Sequence, residues 1–541
     1  MNTRDDKQAA LDSAHVGDIK GALGTIRHGD TAARKGLWAK FKTLLAVLGP
    51  GLIVMVGDND AGAFSTYAQV GQNYGTSLLW TLLLLIPVLY VNQEMALRLG
   101  CVTGVGHGRL ILDRFGKFWG AFSVIDLFLL NALTIVTEFI GITLALGYLG
   151  LPKEIGVIAA ALLIMASAST GSFRRFERFA LILCLGSLLL IPIYFIINPP
   201  LAQILHDTVT PQLPHGARLN EVMMLIIAVV GTTVAPWQLF FQQSYVIDKR
   251  LTPRFIPYER IDLWIGIGIV VIGAIAMIAF TAHAFAGHPE FGSFVDAGAV
   301  AAGLEKYYGR LPGVLFAVAL LDASIIGAMA ISLSTAYAIG DVLSLNHSLH
   351  RKPSEAKEFY FVYCGLIIVA AALVLIPGMP LGLLTNAVQA LAGVLLPSAT
   401  VFLLILCNDK AVLGPWVNGR TVNIFTGVVL AILVTLSIIL TAAVLWPNMS
   451  ERMLISILIG CGGLALAGGV VSWVMRVRRA EIVLEDTSIR DEWRMPPLYE
   501  LPPLQMTSST KLWMAVLRGY LVVAGGLVLF HIVQLAVSGI H

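Results

Sequence analysis

Two carboxylates, Asp58 and Asp60, stand in a run that is otherwise hydrocarbon: Leu45 to Tyr67 carries Gly57-Asp58-Asn59-Asp60-Ala61-Gly62-Ala63 at its centre. An ionisable side chain at membrane depth is costly and generally lines a polar path or a binding site. The flanking glycines let the backbone leave helical hydrogen bonding, which a bilayer tolerates only around a cavity. Freed carbonyls beside two carboxylates supply oxygen ligands, and the chemistry they suit is cation binding. On an intact helix Asp58 and Asp60 would point apart; in an unwound stretch that restriction lapses. Asp58 is then either a second anionic group in the outer vestibule or a cap on the half-helix.

A second interruption lies between Ile226 and Gln238, where Gly231-Thr232-Thr233-Val234-Ala235-Pro236-Trp237 breaks an apolar helix. Alone it reads equally well as a proline kink repaired by threonine hydroxyls. Its position changes that balance. If five spans repeat in inverted topology, spans one and six correspond. Interrupted segments at corresponding places are the strongest sequence pointer to a transporter site near the midplane.

The elements that position these breaks are membrane helices. The 541 residues are 57% hydrophobic and 13% charged, about half the charged share of a soluble protein. Apolar runs long enough to span fall at 43–68, 77–99, 119–149, 155–171, 176–198, 219–246, 259–285, 311–345, 358–378, 382–407, 421–446, 453–475 and 512–537. The expected fold is an all-α polytopic membrane protein: a LeuT-type inverted repeat of 5+5 helices, broken at helices 1 and 6, with further C-terminal helices making 12–13 spans. The expected organisation is a cytoplasmic tail (1–42), a transport core (43–407, with repeats at about 43–198 and 219–407), accessory spans 11 and 12 (408–475), a cytoplasmic loop (476–511) that is charged and then proline-rich, and an accessory helix (512–541).

Orientation follows from charge. With a cytoplasmic N-terminus, all of the 36 Lys and Arg residues except Lys153, Arg218, Lys306, Arg310, Arg452 and Arg518 fall on the cytoplasmic side, as the positive-inside rule requires. The first 40 residues lack an apolar h-region, so the first span is expected to act as an uncleaved anchor in the cell membrane, inner or plasma. The five cysteines show no CxxC or Cys/His spacing and read as small buried hydrophobes. No basic cluster has the interleaved aromatics of a nucleic-acid surface.

These residues resemble a known family. Gly49-Pro50-Gly51 followed by Gly57 to Thr66 resembles the first span of Nramp transition-metal transporters, with its Asp-Pro-Gly-Asn signature. Thr232-Thr233-Val234-Ala235-Pro236-Trp237 is similar to the sixth-span Ala-Thr-Val-Met-Pro-His. Thr137-Glu138-Phe139-Ile140-Gly141 resembles the third-span Ala-Glu-Val-Ile-Gly, and Val388-Gln389-Ala390 before Leu396-Pro397 resembles the tenth-span Ser-Gln-Val. The resemblance implies that Asp60 is the metal-binding aspartate, that Gln389 approaches the ion, and that Thr232 lends a backbone carbonyl. The family's asparagine is Ala63 here, its methionine Ala235, its sixth-span histidine Trp237 and its third-span aspartate Ile135.

Thioether sulfur favours soft or borderline metals, whereas carboxylate, carbonyl and water suit Mg²⁺, Ca²⁺ and Mn²⁺. Ala235 removes the soft ligand, and Ala63 removes a side-chain oxygen and opens space for water. Mg²⁺ keeps several waters and binds through one or two carboxylates. The residues therefore predict a secondary transporter or facilitator for a partly hydrated divalent cation, Mg²⁺ before Mn²⁺, held by Asp60, Asp58, Asn59, Thr232 and Gln389 beside Ala63 and Ala235. The pattern is similar to the Nramp-related magnesium transporters. Obligatory proton coupling is not expected, because Ile135 and Trp237 cannot titrate; Glu138 remains a possible proton or gating group, and Trp237 a packing or gating one. The alternatives are proton-coupled Mn²⁺ or Fe²⁺ uptake and, further off, a sodium-coupled organic solute carrier. An enzyme or ATP-driven pump has no support, for there is no P-loop, G-x-S-x-G or metal-hydrolase spacing. The expected partners are the cation and the lipid bilayer, with no cofactor and no nucleic acid; one monomer suffices for transport.

Overall fold

The structure, a computed structural model, describes residues 11–214, 216–376, 381–446, 450–477 and 490–504, with scattered positions between 515 and 534. The predicted span 512–537 and much of the 476–511 loop lie outside these residues. Among the described residues, ten helices are long and apolar enough to cross a membrane, or eleven if the bent first span is counted. The fold is thus all-α and polytopic. The fourth run forms Lys153–Ala168, only 16 residues.

Two helices make the central pillar: the third, Lys117–Tyr148, and the eighth, Arg310–Leu343. At about 1.5 Å per residue each reaches roughly 50 Å, enough to cross a bilayer at a tilt. They pack along one another; the first, sixth and tenth spans pack against them, and the seventh packs against the first. The first span begins as Leu37–Val47, bends by 53° into Pro50–Val56, stops, and resumes as Ala61–Tyr74. The sixth is Leu219–Thr233 followed by Pro236–Asp248.

One end of the bundle carries the basic loops and the starts of the first and fifth spans; we refer to it as the basic face. The N-terminal segment, expected to be a polar tail, is docked there. It forms a short 3-10 turn at Ser13–His15 and a hairpin of β1 (Ile19–Lys20) and β2 (Thr25–Ile26), with Ile19 opposite Ile26 and both buried. Apolar periodicity carries no trace of it, because its bonds run mostly from its backbone to distant side chains.

Candidate functional site

The first break follows from local chemistry. Gly57, Asp58 and Asn59 are poor helix formers, and short Asp and Asn side chains compete with the helix for backbone groups. Asp60 restarts the helix as its N-cap: its Oδ1 accepts the Ala63 N–H at 2.9 Å, an interaction worth about 0.5–2 kcal/mol. The cap weighed for Asp58 therefore belongs to Asp60. Asp58 instead accepts a hydrogen bond from Gln238 Nε2 on the sixth span, and Gln238 Oε1 accepts from Gln93 Nε2 at 2.9 Å. Asp58 Oδ2 is buried without a partner. Asn59 turns its Nδ2 toward Val270 O of the seventh helix, 3.4 Å away, and its Oδ1 has no partner.

The first half-helix is held from outside. Asp262 Oδ2 accepts the N–H groups of Gly49 and Gly51 at 3.0 and 2.7 Å, satisfying donors at the start of Pro50–Val56.

At the second break Pro236 opens the new half-helix, where its missing N–H costs nothing. Thr233 Oγ1 lies 2.7 Å from Tyr67 Oη, tying the two breaks together, and it also donates to Val229 O. Thr232 Oγ1 is buried and unpartnered, and Ala235 is the N-cap residue. Gln389 comes from the tenth helix, Leu381–Leu406, and its amide lies against Gly62 so closely that any Cβ there would collide with it. Ala63 is fully buried beside this contact.

Glu138 meets the break from the third helix. Its Oε2 accepts the Ala61 N–H at 3.1 Å, and its Oε1 has no partner. Gly327 of the eighth helix makes room for the Glu138 carboxyl and for Asp60. Trp237 is packed: buried, edge-on to Phe241 at 6.1 Å, with its ring against Gly57. Its carbonyl accepts from Ser334 Oγ at 2.9 Å. Ile135 is wholly buried.

The structure thus brings Asp60, Glu138, Ala63 and Gln389 together and places Asp58 on the sixth span's second half, while Asn59 faces the seventh helix. Among the described residues, no three His, Cys, Asp or Glu side chains converge as a metal cluster would. What the two breaks offer is a set of buried, unpartnered oxygens: Asp58 Oδ2, Asn59 Oδ1, Thr232 Oγ1 and Glu138 Oε1. Each uncompensated atom of this kind costs about 1–3 kcal/mol, which water or a hydrated cation relieves.

Sequence reasoning missed Gln238 and Gln93, which orient Asp58, and Asp262, which grips the first half-helix. The signal for Gln238 was present as Gln238, Gln242 and Gln243 in an apolar span. For Asp262 it was an acid one turn inside the seventh run.

Residues 51–443 match the family model described as natural resistance-associated macrophage protein-like, Nramp. The chain belongs to the Nramp family. A divalent metal cation transporter MntH from Ralstonia nicotianae is 30% identical over 404 residues, 71% of this chain and 87% of the relative. The MntH of Lacticaseibacillus casei is 26% identical over 440 residues, 76% of this chain and 91% of the relative. The crystal structure of an Eremococcus coleocola manganese transporter, bound to an aromatic bis-isothiourea compound, matches with a TM-score of 0.63 at 20% identity, covering 85% of this chain and 98% of that one. The fold is the LeuT-type fold of Nramp transporters, and the protein is a multi-pass membrane transporter, not an enzyme.

Proposed function

We propose that this Nramp protein moves a hard divalent cation, Mg²⁺ in preference and Mn²⁺ as well, across the cell membrane, with the basic face toward the cytoplasm. Its curated relatives bear the name of divalent metal cation transporters, and its structural neighbour is a manganese transporter. One observation carries the choice of cation: the breaks present unpartnered carboxylate, amide and hydroxyl oxygens, with alanine at 235 in place of a sulfur ligand and alanine at 63 leaving space for water. Oxygen donors without a cluster of acids suit an ion that keeps part of its water. Asp60 and Asp58 supply the charge, Thr232 and the unwound backbone supply carbonyls, and Gln389 closes the site from the tenth helix.

The reading includes uptake without obligatory proton co-transport. A negative-inside potential drives a divalent cation inward with about 4.6 kcal/mol per 100 mV, twice the value for one charge. A second reading, proton-coupled Mn²⁺ uptake, draws on Glu138, a titratable carboxyl buried beside Asp60. Beyond Glu138, Ile135 and Trp237 offer no next acceptor, so in our reading a proton on Glu138 has no onward relay.

The test is flux into proteoliposomes at fixed potential, comparing Mg²⁺, Mn²⁺ and Ca²⁺ with an internal pH probe. Mg²⁺ and Mn²⁺ entry without matching acidification supports the proposal. Acidification that tracks cation entry and vanishes in Asp60→Ala would establish the coupled alternative instead.

A further inference from the structure

The docked N-terminal segment is held by side chains from three separate connections of the bundle. From the start of the fifth span, Arg174 donates to Gly21 O, Gly24 O and Thr25 Oγ1, and Arg178 Nε to Ala22 O at 2.9 Å. After the sixth span, Arg250 Nε donates to Ala14 O at 2.9 Å, and Arg254 donates to Asp30 O and Ala32 O at 2.9 and 2.6 Å. From the eighth–ninth connection, Arg351 pairs with Asp12 at 2.6 Å, while the His347 N–H donates to Asp12 Oδ2 at 2.9 Å. Nearly all of these guanidinium groups read backbone carbonyls, so the segment is recognised by its conformation more than by its side chains.

The segment also reaches the interior. The Ala22 N–H donates to Glu177 Oε2 at 2.5 Å; Glu177 Oε1 pairs with Lys249 Nζ at 2.6 Å; Lys249 Nζ donates to Leu48 O at 2.8 Å. Both charged groups are fully buried. Glu177 lies on the fifth span, Lys249 ends the sixth, and Leu48 precedes the first half-helix. A cation leaving Asp58 toward the basic face needs these three elements to part. Gln242, one turn beyond Gln238 on the same helix face, is wholly buried there with both amide atoms unpartnered.

We infer that residues 12–32 form a strap that locks the cytoplasmic side of the transport path shut, and that the strap must lift from the arginine-lined face before the path opens. This rests on the transport reading above. Nothing in the strap lies in the cation site; its effect is on the opening step.

Two arms test it. In the full chain, Asp12→Cys and Arg351→Cys bridged by a short bis-maleimide are expected to reduce Mn²⁺ uptake into proteoliposomes at least tenfold relative to the unbridged pair. Bridged protein that carries Mn²⁺ at the unbridged rate overturns the inference. The second arm needs no substrate. A Cβ at Gly24 would run into Ala46, whose atoms are its three nearest neighbours and lie outside the Glu177–Lys249–Leu48 seam, so Gly24→Leu undocks the strap without touching that seam. Reaction of Gln242→Cys with a maleimide added from the cytoplasmic side, above the background of the native cysteines, is expected to rise several-fold when Gly24→Leu is added; equal reactivity overturns the inference. Wild-type protein that carries neither Mn²⁺ nor Mg²⁺ refutes the transport reading, and the labelling arm still decides on the strap.

Discussion

Outward of Asp60, the side chains that face one another are neutral: half-buried Asn386 donates through Nδ2 to Oε1 of half-buried Gln69 at 3.0 Å, and the buried Ser65 Oγ donates to Asn386 Oδ1 at 3.4 Å. Inward of Asp58, Gln238, Gln242, Asp248 and Lys249 are wholly buried, the Glu177–Lys249 pair crosses the seam, and the N-terminal strap covers it. The difference is one of kind. A neutral hydrogen bond contributes about 0.5–1.5 kcal/mol, whereas removing one partner of a buried ion pair costs about 3–5 kcal/mol. In the described conformation the outer half can open by exchanging amide bonds for water, while the inner half must separate charges first. On the orientation and function proposed above, the fold rests closed on its cytoplasmic side, and the proposed cation reaches the breaks from outside before the inner lock yields.

Asp60 is common to both halves, and its loss has the largest expected effect. Asp60→Ala should reduce Mg²⁺ and Mn²⁺ uptake to the level of empty vesicles while the protein keeps its elution profile in detergent. Retained uptake would mean that the outer and inner halves do not meet at this residue.

Lys249→Met leaves Glu177 buried without its cation, and destabilisation of about 3–5 kcal/mol is expected from that. It should be read as a fall in thermal midpoint in detergent. Adding Glu177→Leu should restore most of it; if the double variant is no more stable than the single one, the inner seal does not depend on this pair.

Asn386→Ala probes the outer half, and here a loss of no more than about 0.5–1.5 kcal/mol is expected. Uptake should change less than threefold, with the midpoint almost unmoved. A collapse as large as that of Lys249→Met would erase the distinction between the two halves.

The smallest effect concerns pH at the eighth–ninth connection. Burial opposes charge on His347, but Asp341, 2.9 Å from its Nε2, and the Leu345 carbonyl raise its pKa from 6.5 to about 9. A group with a raised folded-state pKa stabilises fully below its unfolded value and loses that contribution as pH rises through the folded one. Corrected for intrinsic rate, amide hydrogen exchange across 345–351 should be slow at pH 6.5 and quicken toward pH 9. His347→Gln should abolish that dependence.

The spans and both breaks were legible because hydrophobic length, glycine, proline and intramembrane acids are local signals. The third-helix approach of Glu138 to Asp60 was legible only through its motif. What sequence hid was partnership across the fold. Asp58 reads as ligand or cap, and only the packing of the sixth span's second half shows that Gln238 orients it while Asp60 takes the cap. Asn59 reads as a ligand, and only the turn of the unwound chain shows that its Nδ2 faces Val270 O while its Oδ1 stays unpartnered. The strap was invisible for a related reason: five distant arginines and Glu177 hold it mainly by its backbone, and a backbone bond leaves no residue pattern.

Competition in one vesicle population tests the hard-cation site most directly: Mn²⁺ uptake at fixed negative-inside potential, with increasing external Mg²⁺, in wild type and in Ala235→Met. The expected result is that millimolar Mg²⁺ suppresses Mn²⁺ uptake in the wild type, and that Ala235→Met, by adding a thioether and removing water space, weakens the suppression at least tenfold. Mn²⁺ uptake that a large excess of Mg²⁺ leaves untouched in the wild type would contradict an oxygen-and-water site for Mg²⁺ at the two breaks.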